Sequence, residues 1–311
     1  MSHLETLGTQ FSIPISADGE GYLGRECPVE TCLGYFKITP GTGVKGPAPC
    51  YCPYCGHSGD HKTFFTREQI EYAKSVVMRK VSDAVRQDLK ALEFDHKPQG
   101  MFGIGISMKV QESAPLPIRY YREKKLQTEV VCDNCTLRYA IYGVFGWCPD
   151  CGVHNSLQIL SKNLELAQKE LDLAKAADIE LANHLIGDAL ENAVSAFDGF
   201  GREICAQKKV DIRFQNIVTA RQKLQETFGF DFADSLDASD WDCACRVFQK
   251  RHLLAHKMGV ADKDYLQKAK DSAAIIGHKI TVSPDEVKSA LGLIEKMGRR
   301  LFNGLFSAPP F

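Results

Sequence analysis

The chain has 311 residues, a length typical of two domains, and 44% of them are hydrophobic and 25% charged. Its net charge of −1 gives no support to a chain-wide electrostatic attraction to nucleic acid or to an anionic membrane, so a nucleic-acid contact would have to be local. The first residues lack the basic and apolar regions of a secretory signal, and no apolar run approaches the ~20 residues of a bilayer-spanning helix. We therefore expect a cytoplasmic protein without a membrane partner.

Residues 1–157 carry nine of the twelve cysteines, mostly in short-spaced pairs. Short apolar stretches predict strands there, such as YFKI and FGIGISMKV (102–110). The stretch 66–92 predicts one helix, with Thr66 as its N-cap and Glu68 and Gln69 in its first turn. Paired cysteines in a long chain without a visible signal peptide favour metal thiolates in a reducing compartment. We predict an α+β multidomain chain in which 1–157 holds tandem zinc-ribbon β modules and an inserted helix.

The first cysteine cluster consists of CPVETC and, further on, CYCPYCGH. Two hairpin-like turns with paired cysteines present four thiolates tetrahedrally to Zn²⁺. The predicted ligands are Cys27, Cys32, Cys52 and Cys55. Cys50, His57 and His61 remain as substitutes, because Cys50 is a spare thiol close to the second pair.

The second cluster has the more specific spacing, with CDNC and CPDC separated by the strand-like stretch TLRYAIYGVFGW. Its predicted ligands are Cys132, Cys135, Cys148 and Cys151. This arrangement resembles a zinc ribbon. Four thiolates leave a tetrahedral ion no open position, so both zinc ions are expected to be structural cofactors that the ribbons need for folding.

The stretch IRYYREKK (118–125), just before the second cluster, alternates basic and aromatic residues. Such residues make a phosphate-binding and base-stacking surface, which makes the stretch a candidate nucleic-acid contact. Its candidate residues are Arg119, Tyr120, Tyr121, Arg122, Lys124 and Lys125. A solvated edge strand, protected from aggregation by its charges, explains the same pattern and is the favoured interpretation.

From residue 158 the composition changes to that of helices. Residues 158–182 are predicted to be a helical connector, and 183–311 an all-α helical bundle of four helices. The predicted helices are 183–207, 214–229 ending at Gly229, 237–258 with a capping box at Ser239 and Asp242, and 283–306 starting at Ser283.

The third predicted helix ends in KRHLLAHKMG, where its apolar stripe becomes polar. Trp241, Ala244, Cys245 and Phe248 define that stripe, and helical spacing is expected to continue it through Arg251, His252 and Ala255. His252 and His256 are four residues apart and share a face. Satisfied core histidines and a capping arginine would explain the same residues. Arg246 and His252 form a competing arginine–histidine spacing in the same helix.

Residues 183–311 resemble the HEPN superfamily. The features that carry the resemblance are the helical bundle, the motif RHLLAH near the end of the third helix, and the following KMGVADKDYL and TVSPDEV. The family signature is Arg-x4–6-His, with a polar residue commonly directly after the arginine. Arg251, His252 and His256 match these three positions.

The resemblance implies a metal-independent endoribonuclease acting on an RNA substrate. His256 would be the general base on a ribose 2′-OH, Arg251 would stabilise charge on the phosphate, and His252 would orient them or act as acid. The products would be a 2′,3′-cyclic phosphate and a 5′-OH. The family also implies a homodimer through the helical domain. It suggests a toxin or antiviral defence effector, with ribbons that bind nucleic acid or a regulatory protein partner.

Two other functions remain open. The chain could be a non-catalytic adaptor in which zinc ribbons bind nucleic acid or protein and the helical half only dimerises. It could also be an accessory protein of translation or transcription, where zinc ribbons are common.

Overall fold

The computed structural model describes residues 2–43, 49–96, 106–111 and 113–306. The chain divides into two compact units, Met1–Val153 and His154–Phe311, here called the N-terminal and C-terminal units. None of the helices in the described ranges combines the length and the apolarity that crossing a bilayer requires. The α+β layout with a helical C-terminal region agrees with the predicted fold class.

The N-terminal unit consists of short strands and one long helix. Its elements are α1 (His3–Thr6), β1 (Leu23–Glu26), β2 (Tyr35–Ile38), β3 (Cys50–Tyr51), β4 (Ser58–Gly59), a 3-10 turn (His61–Phe64), α2 (Arg67–Lys90), β5 (Phe94–His96), β6 (Ile106–Met108), β7 (Thr128–Val131) and β8 (Arg138–Ile141). The predicted strand 102–110 extends beyond the described residues, and only its part from 106 is described. Strand β2 and helix α2 match the predictions.

One antiparallel sheet, in the order β1-β2-β8-β7, joins the two predicted ribbons. Its centre is the pairing of β2 with β8, in which Lys37 lies opposite Ala140 and Ile38 opposite Tyr139. The apolar core of the sheet includes Phe36 and Tyr139, both fully buried. The two modules are therefore halves of one sheet. A two-stranded hairpin is marginal by itself, and pairing the halves buries one against the other.

Helix α2 begins as the sequence predicted. The Thr66 hydroxyl accepts a hydrogen bond from the Gln69 amide at 3.1 Å, and the Gln69 side chain accepts one from the Thr66 amide at 3.2 Å. The Gln69 Nε2 also donates to the carbonyl of Gly24 at 3.0 Å, which fixes the helix to the strand β1. The rest of α2 is thinly covered, since Gln69 and Ala84 are its only buried residues in the described structure.

The C-terminal unit is helical. Its α-helices are α3 (Ser156–Ala174), α4 (Ile179–Gln207), α5 (Ile217–Phe228), α6 (Ala238–Lys257), α7 (Lys263–Ala269) and α8 (Pro284–Phe306), with a 3-10 turn at Phe232–Ser235. Gly229 ends α5 in the left-handed conformation, and the Ser283 hydroxyl accepts from the Glu286 amide at 3.2 Å, as predicted. The N-cap of α6 is Asp237 rather than Ser239, because its carboxylate accepts from the Asp240 amide at 2.7 Å.

Residues 158–182, predicted to be a connector, lie mainly in α3, which is part of the core. Helix α3 packs on α4 and α8. Its residues Leu160, Leu164 and Leu171 are buried, and Leu160 is only 1% exposed. A Cβ at Gly298 of α8 would lie 2.4 Å from the Leu160 Cδ2, so the helices meet where glycine leaves room. The charged residues of α3 lie on its outer face. Because they are interleaved with the apolar residues along the sequence, the apolar stripe does not stand out as a heptad repeat.

This packing predicts that α3 stabilises the C-terminal unit. Leu160→Ala should lower the free energy of unfolding of that unit by about 2–5 kcal/mol, because it leaves a cavity in a closed core. Leu166, on the same helix, is 55% exposed. Leu166→Ala should therefore change the free energy of unfolding by less than about 0.5 kcal/mol. Urea unfolding followed by helical circular dichroism measures both, and equal midpoints for the two variants would contradict a core role of α3.

Candidate metal centres and candidate active site

The first predicted ligand set converges on one point. Cys27 and Cys32 lie in the turn between β1 and β2, and Cys52 and Cys55 lie in the turn after β3. The Cys27 and Cys55 sulfurs are 3.6 Å apart, and the Cys32 and Cys52 sulfurs 3.7 Å apart. All four ligand atoms lie within 4.8 Å of one another.

The second ligand set repeats this geometry. The Cys132 and Cys151 sulfurs are 3.6 Å apart, and the Cys135 and Cys148 sulfurs 3.5 Å apart. Four sulfurs at about 2.3 Å from a tetrahedral ion would lie about 3.8 Å from one another. Both sets are therefore positioned to bind a metal ion, as the sequence predicted.

The backbone of each turn is shaped to present its two sulfurs. The residue after the second cysteine of each pair has a positive φ, which the chain needs in order to reverse direction tightly. These residues are Leu33 (46°), Gly56 (71°), Thr136 (64°) and Gly152 (66°). Two of the four are not glycines, and such residues adopt this conformation only where the surroundings stabilise it. Coordination of two cysteines of each turn by one ion would supply that stabilisation.

A pseudo-twofold relation between the two centres was missed at the sequence level. The Tyr51 amide donates to the Pro149 carbonyl at 2.8 Å, and the Trp147 amide donates to the Pro53 carbonyl at 2.9 Å. Each donor is the residue just before the first cysteine of the later pair in its own cluster. Each acceptor is the residue just after the corresponding cysteine of the other cluster. The signal was present, because aromatic-Cys-Pro-x-Cys-Gly occurs at both 51–56 and 147–152.

The spare thiol of Cys50 lies outside both clusters. Neither Cys50, His57 nor His61 belongs to a group of ligand atoms that could hold a metal ion in the described part of the chain. Cys50 is fully buried, and burial raises the pKa of its thiol to about 12. The side chain is therefore a neutral thiol in the apolar core of the N-terminal unit.

The arginine and histidines of the predicted catalytic motif lie in the last two turns of α6. The Arg251 Nη2 donates to the Ser195 hydroxyl of α4 at 3.2 Å. Its Nε is buried and has no acceptor among the described residues. The guanidinium group therefore reaches the surface between α4 and α6 with hydrogen-bonding capacity left over.

His252 and His256 are both exposed, and their ring centroids are 4.9 Å apart. Within the described ranges, neither imidazole makes a hydrogen bond or an ion pair. Burial lowers the pKa of His252, and the neighbouring His256 and Lys257 lower it further. His252 is therefore neutral near pH 7, with a lone pair that can accept a proton.

The apolar stripe of α6 ends differently from the prediction. Ala244 and Phe248 are buried as expected, and Arg251 is partly buried. His252 and Ala255, however, are exposed. The next turn instead buries Leu253 against Tyr265 of α7, an element that the sequence did not predict. The helix is thus covered on two sides, and His252 points away from both.

The three other cations of this helix, Arg246, Lys250 and Lys257, have intramolecular partners, and Lys257 pairs with Asp262. The Arg246 Nε donates to the carbonyl of Ala269, at the end of α7, at 3.5 Å. The Lys250 Nζ is 2.8 Å from a carboxylate oxygen of Glu286 on α8. Arg246, the arginine of the competing spacing with His252, is therefore directed to α7, while Arg251 is close enough to the exposed His252 to help lower its pKa.

The segment 118–125 has no regular secondary structure and, within the described ranges, pairs with no strand, contrary to the edge-strand interpretation. It lies along α2, where the Arg119 amide donates to the Ser75 hydroxyl at 3.0 Å and its guanidinium pairs with Glu71. The Lys124 Nζ lies 5.0 Å from the centre of the Tyr35 ring. Tyr120, Arg122 and Lys125 are exposed.

The converging thiols predict a metal content. We expect two ions per chain in the purified protein and one ion fewer in Cys148→Ser, because a tetrahedral site with three thiolates binds far more weakly. Cys50→Ala is the matched control, since it removes a buried thiol of the same apolar core that lies outside both clusters. Elemental analysis measures the content. Loss of an ion in Cys50→Ala would place that thiol in a coordination shell and contradict the assignment.

Comparison of the chain with family models, with curated proteins and with solved structures gives no match. The observations from which a function can be inferred are therefore those of the chain itself: the two sets of four cysteines, and the arginine beside two exposed histidines at the end of α6.

Proposed function

We propose that the protein is a metal-independent endoribonuclease whose active site is at the end of α6. The observation that carries the proposal is the Arg251 guanidinium, which donates to Ser195 and has an unsatisfied Nε among the described residues. This arginine directly precedes His252, whose ring lies 4.9 Å from that of His256. A buried unsatisfied donor is costly, and a ligand that accepts its hydrogen bond compensates for it. A phosphate oxygen is the acceptor that suits a guanidinium group best.

The reaction needs a base and a group that stabilises charge. His256 accepts the proton of a ribose 2′-OH, the 2′-oxygen attacks the adjacent phosphorus, and the bond to the 5′-oxygen breaks. The leaving 5′-oxygen takes up a proton from water, and the protonated His256 returns its proton to the solvent. The products are therefore a 2′,3′-cyclic phosphate and a 5′-OH. Arg251 stabilises the added charge on the phosphate oxygens. The lowered pKa of His252 suits an orienting acceptor better than an acid.

RNA rather than DNA is the substrate because the mechanism uses the 2′-OH as its nucleophile. The groups of cysteine, histidine and carboxylate side chains that could hold a metal are, within the described ranges, the two sets of four cysteines. We assign Zn²⁺ to both, since four thiolates in a tetrahedral arrangement favour it. Four thiolates complete its shell, so its contribution is to folding.

We further propose that two copies pair through the C-terminal unit. Arg251 meets Ser195, and Leu254 lies next to Gly187. Helices α4 and α6 therefore run antiparallel, and the start of α4 is at the same end as the end of α6. Exposed apolar side chains gather at that end, with Ile179 and Met258 each 82% exposed. A second copy that covers them would bring the two motifs face to face across a two-fold axis.

The resemblance to HEPN proteins adds support for both proposals, and it is the reason to consider a toxin or antiviral defence effector. The second candidate function, a non-catalytic adaptor, is favoured by the exposed aromatic and basic side chains of the segment 118–125. The two candidates differ in whether RNA is cleaved or only bound.

The proposed chemistry predicts that His256→Ala and Arg251→Ala each lower the rate of RNA cleavage by about 10²-fold or more. The free energy of unfolding should change by less than about 0.5 kcal/mol in His256→Ala, because the side chain is exposed. Cleavage of total RNA in EDTA is followed by gel, and the 3′ ends are characterised by mass spectrometry. Cyclic phosphate ends are expected.

Arg246→Ala is the matched control, because this arginine lies on the same helix and is directed to α7. It should keep the cleavage rate within a few-fold of that of the wild type. Linear 3′-OH ends, a requirement for Mg²⁺, or a His256→Ala variant as active as the wild type would each contradict the proposal. RNA binding without cleavage by the wild type would favour the adaptor.

The proposed pairing predicts that the full chain sediments as a dimer at micromolar concentration. Met258→Glu should weaken the dimer by at least about tenfold, since it places a charge in an apolar contact. Leu166→Glu, the same kind of change at an exposed apolar residue of α3, is the control and should leave the mass unchanged. A monomeric wild type would contradict the pairing.

A further inference from the structure

The N-terminal unit contains a cleft that neither the metal centres nor the proposed active site uses. It lies between the N-terminal segment, the first turns of α2 and the segment 118–125, and its volume is about 480 Å³. That size is within the range of pockets that hold small organic groups. It is lined by Pro14, Ser16, Ala17, Asp18, Tyr72, Tyr120, Tyr121, Arg122 and Glu123.

Three tyrosines make the aromatic wall of this cleft. The ring centroid of Tyr72, on α2, is 6.2 Å from that of Tyr120 and 5.5 Å from that of Tyr121. The Tyr121 hydroxyl donates to the Ser16 carbonyl at 3.4 Å, which holds its ring against the N-terminal segment. Tyr120 is 82% exposed, which leaves a ring face free for stacking.

The two carboxylates at the cleft have hydrogen-bond or ion-pair partners inside the unit, whereas its arginine is unpaired among the described residues. The Asp18 carboxylate pairs with the Lys37 Nζ at 2.7 Å. The Glu123 carboxylate accepts from the Gln69 Nε2 at 3.0 Å and from the Tyr35 hydroxyl. Arg122 is exposed and has no hydrogen bond or ion pair within the described ranges. The exposed Lys125 follows it in the chain.

We propose that this cleft binds an unstacked base of single-stranded RNA, with Tyr120 and Tyr72 against the base and Arg122 on a flanking phosphate. Aromatic rings accept any base through its π-face, and an unpaired guanidinium group supplies a counter-charge to the backbone. The inference that the ligand is RNA rather than another single-stranded nucleic acid rests on the proposed ribonuclease function. The inference that a base stacks on the tyrosines does not depend on that function. The cleft belongs to the N-terminal unit, whereas the proposed cleavage site belongs to the C-terminal unit.

The test is binding of a labelled single-stranded uridylate RNA of about 12 nucleotides, followed by fluorescence anisotropy. The full chain carrying His256→Ala is used, so that the probe stays intact. Adding Tyr120→Ala should raise Kd by about 5- to 100-fold, and Tyr120→Phe should restore most of the affinity, because the ring does the stacking. Arg122→Ala should lower the slope of log K against log salt by about one.

Tyr142→Ala is the matched control, since Tyr142 is an exposed tyrosine of the same unit that does not line the cleft. It should leave Kd unchanged. A Kd that Tyr120→Ala leaves unchanged would overturn the proposal. So would Tyr120-dependent binding of a lysine-rich peptide without any effect on RNA, because that result would assign the aromatic wall to a cationic ligand.

Cleavage assays on the wild type separate this inference from the proposed function. RNA binding that depends on Tyr120 in a protein that does not cleave RNA supports the cleft and contradicts the ribonuclease. The opposite result is cleavage that depends on His256 together with RNA binding that Tyr120→Ala does not change. It supports the ribonuclease and contradicts the cleft.

Discussion

Four thiolates can share a space a few ångströms wide only if a cation neutralises them, and the N-terminal unit is organised around that constraint twice. Each cluster takes one pair of cysteines from a turn between two strands and the other pair from a separate turn. An ion held by both pairs would thus join segments far apart in sequence, such as Cys27 and Cys55. Coordination would also offset the cost of the left-handed backbone at Leu33 and Thr136. The strands are short, so the metal centres and the strand pairing must stabilise the sheet together.

The pseudo-twofold relation explains why the two centres form one structure. Lys37 and Ala140, which face each other in the central pairing, each lie five residues after the second cysteine of their own turn. The reciprocal bonds from Tyr51 and Trp147 to the opposite prolines complete the same relation. Two similar ribbons pair across such an axis because each offers the other an identical edge. The long helix α2 and the segment 118–125 are the parts that break the symmetry, and they make the aromatic cleft. The proposed RNA contact is therefore built on the insertion between the ribbons.

In the C-terminal unit the helix α6 shows how similar side chains acquire different roles from their positions. Lys250 and Arg246 are directed to α8 and α7, where they have internal partners. Arg251, one residue further on, reaches the seam with α4 and keeps an unsatisfied Nε. The exposed histidines lie beside it. Binding of a phosphate there would satisfy the guanidinium group. The imidazoles are exposed and contribute little to folding, as is expected of residues whose role is catalytic.

Local pattern alone determined the cysteine pairs, the start of α2 at Thr66, the start of α8 at Ser283 and the motif of Arg251, His252 and His256. Each of these features depends on residues only a few positions apart in the sequence. The tertiary structure decided what depends on distant residues. It selected Cys52 and Cys55 over Cys50, joined two ribbons into one sheet, and made α3 part of the core through contact with Gly298. It also turned His252 outward, because the unforeseen α7 covers Leu253 on the neighbouring face. Which face of a helix is buried depends on what packs against it, and that information lies elsewhere in the chain.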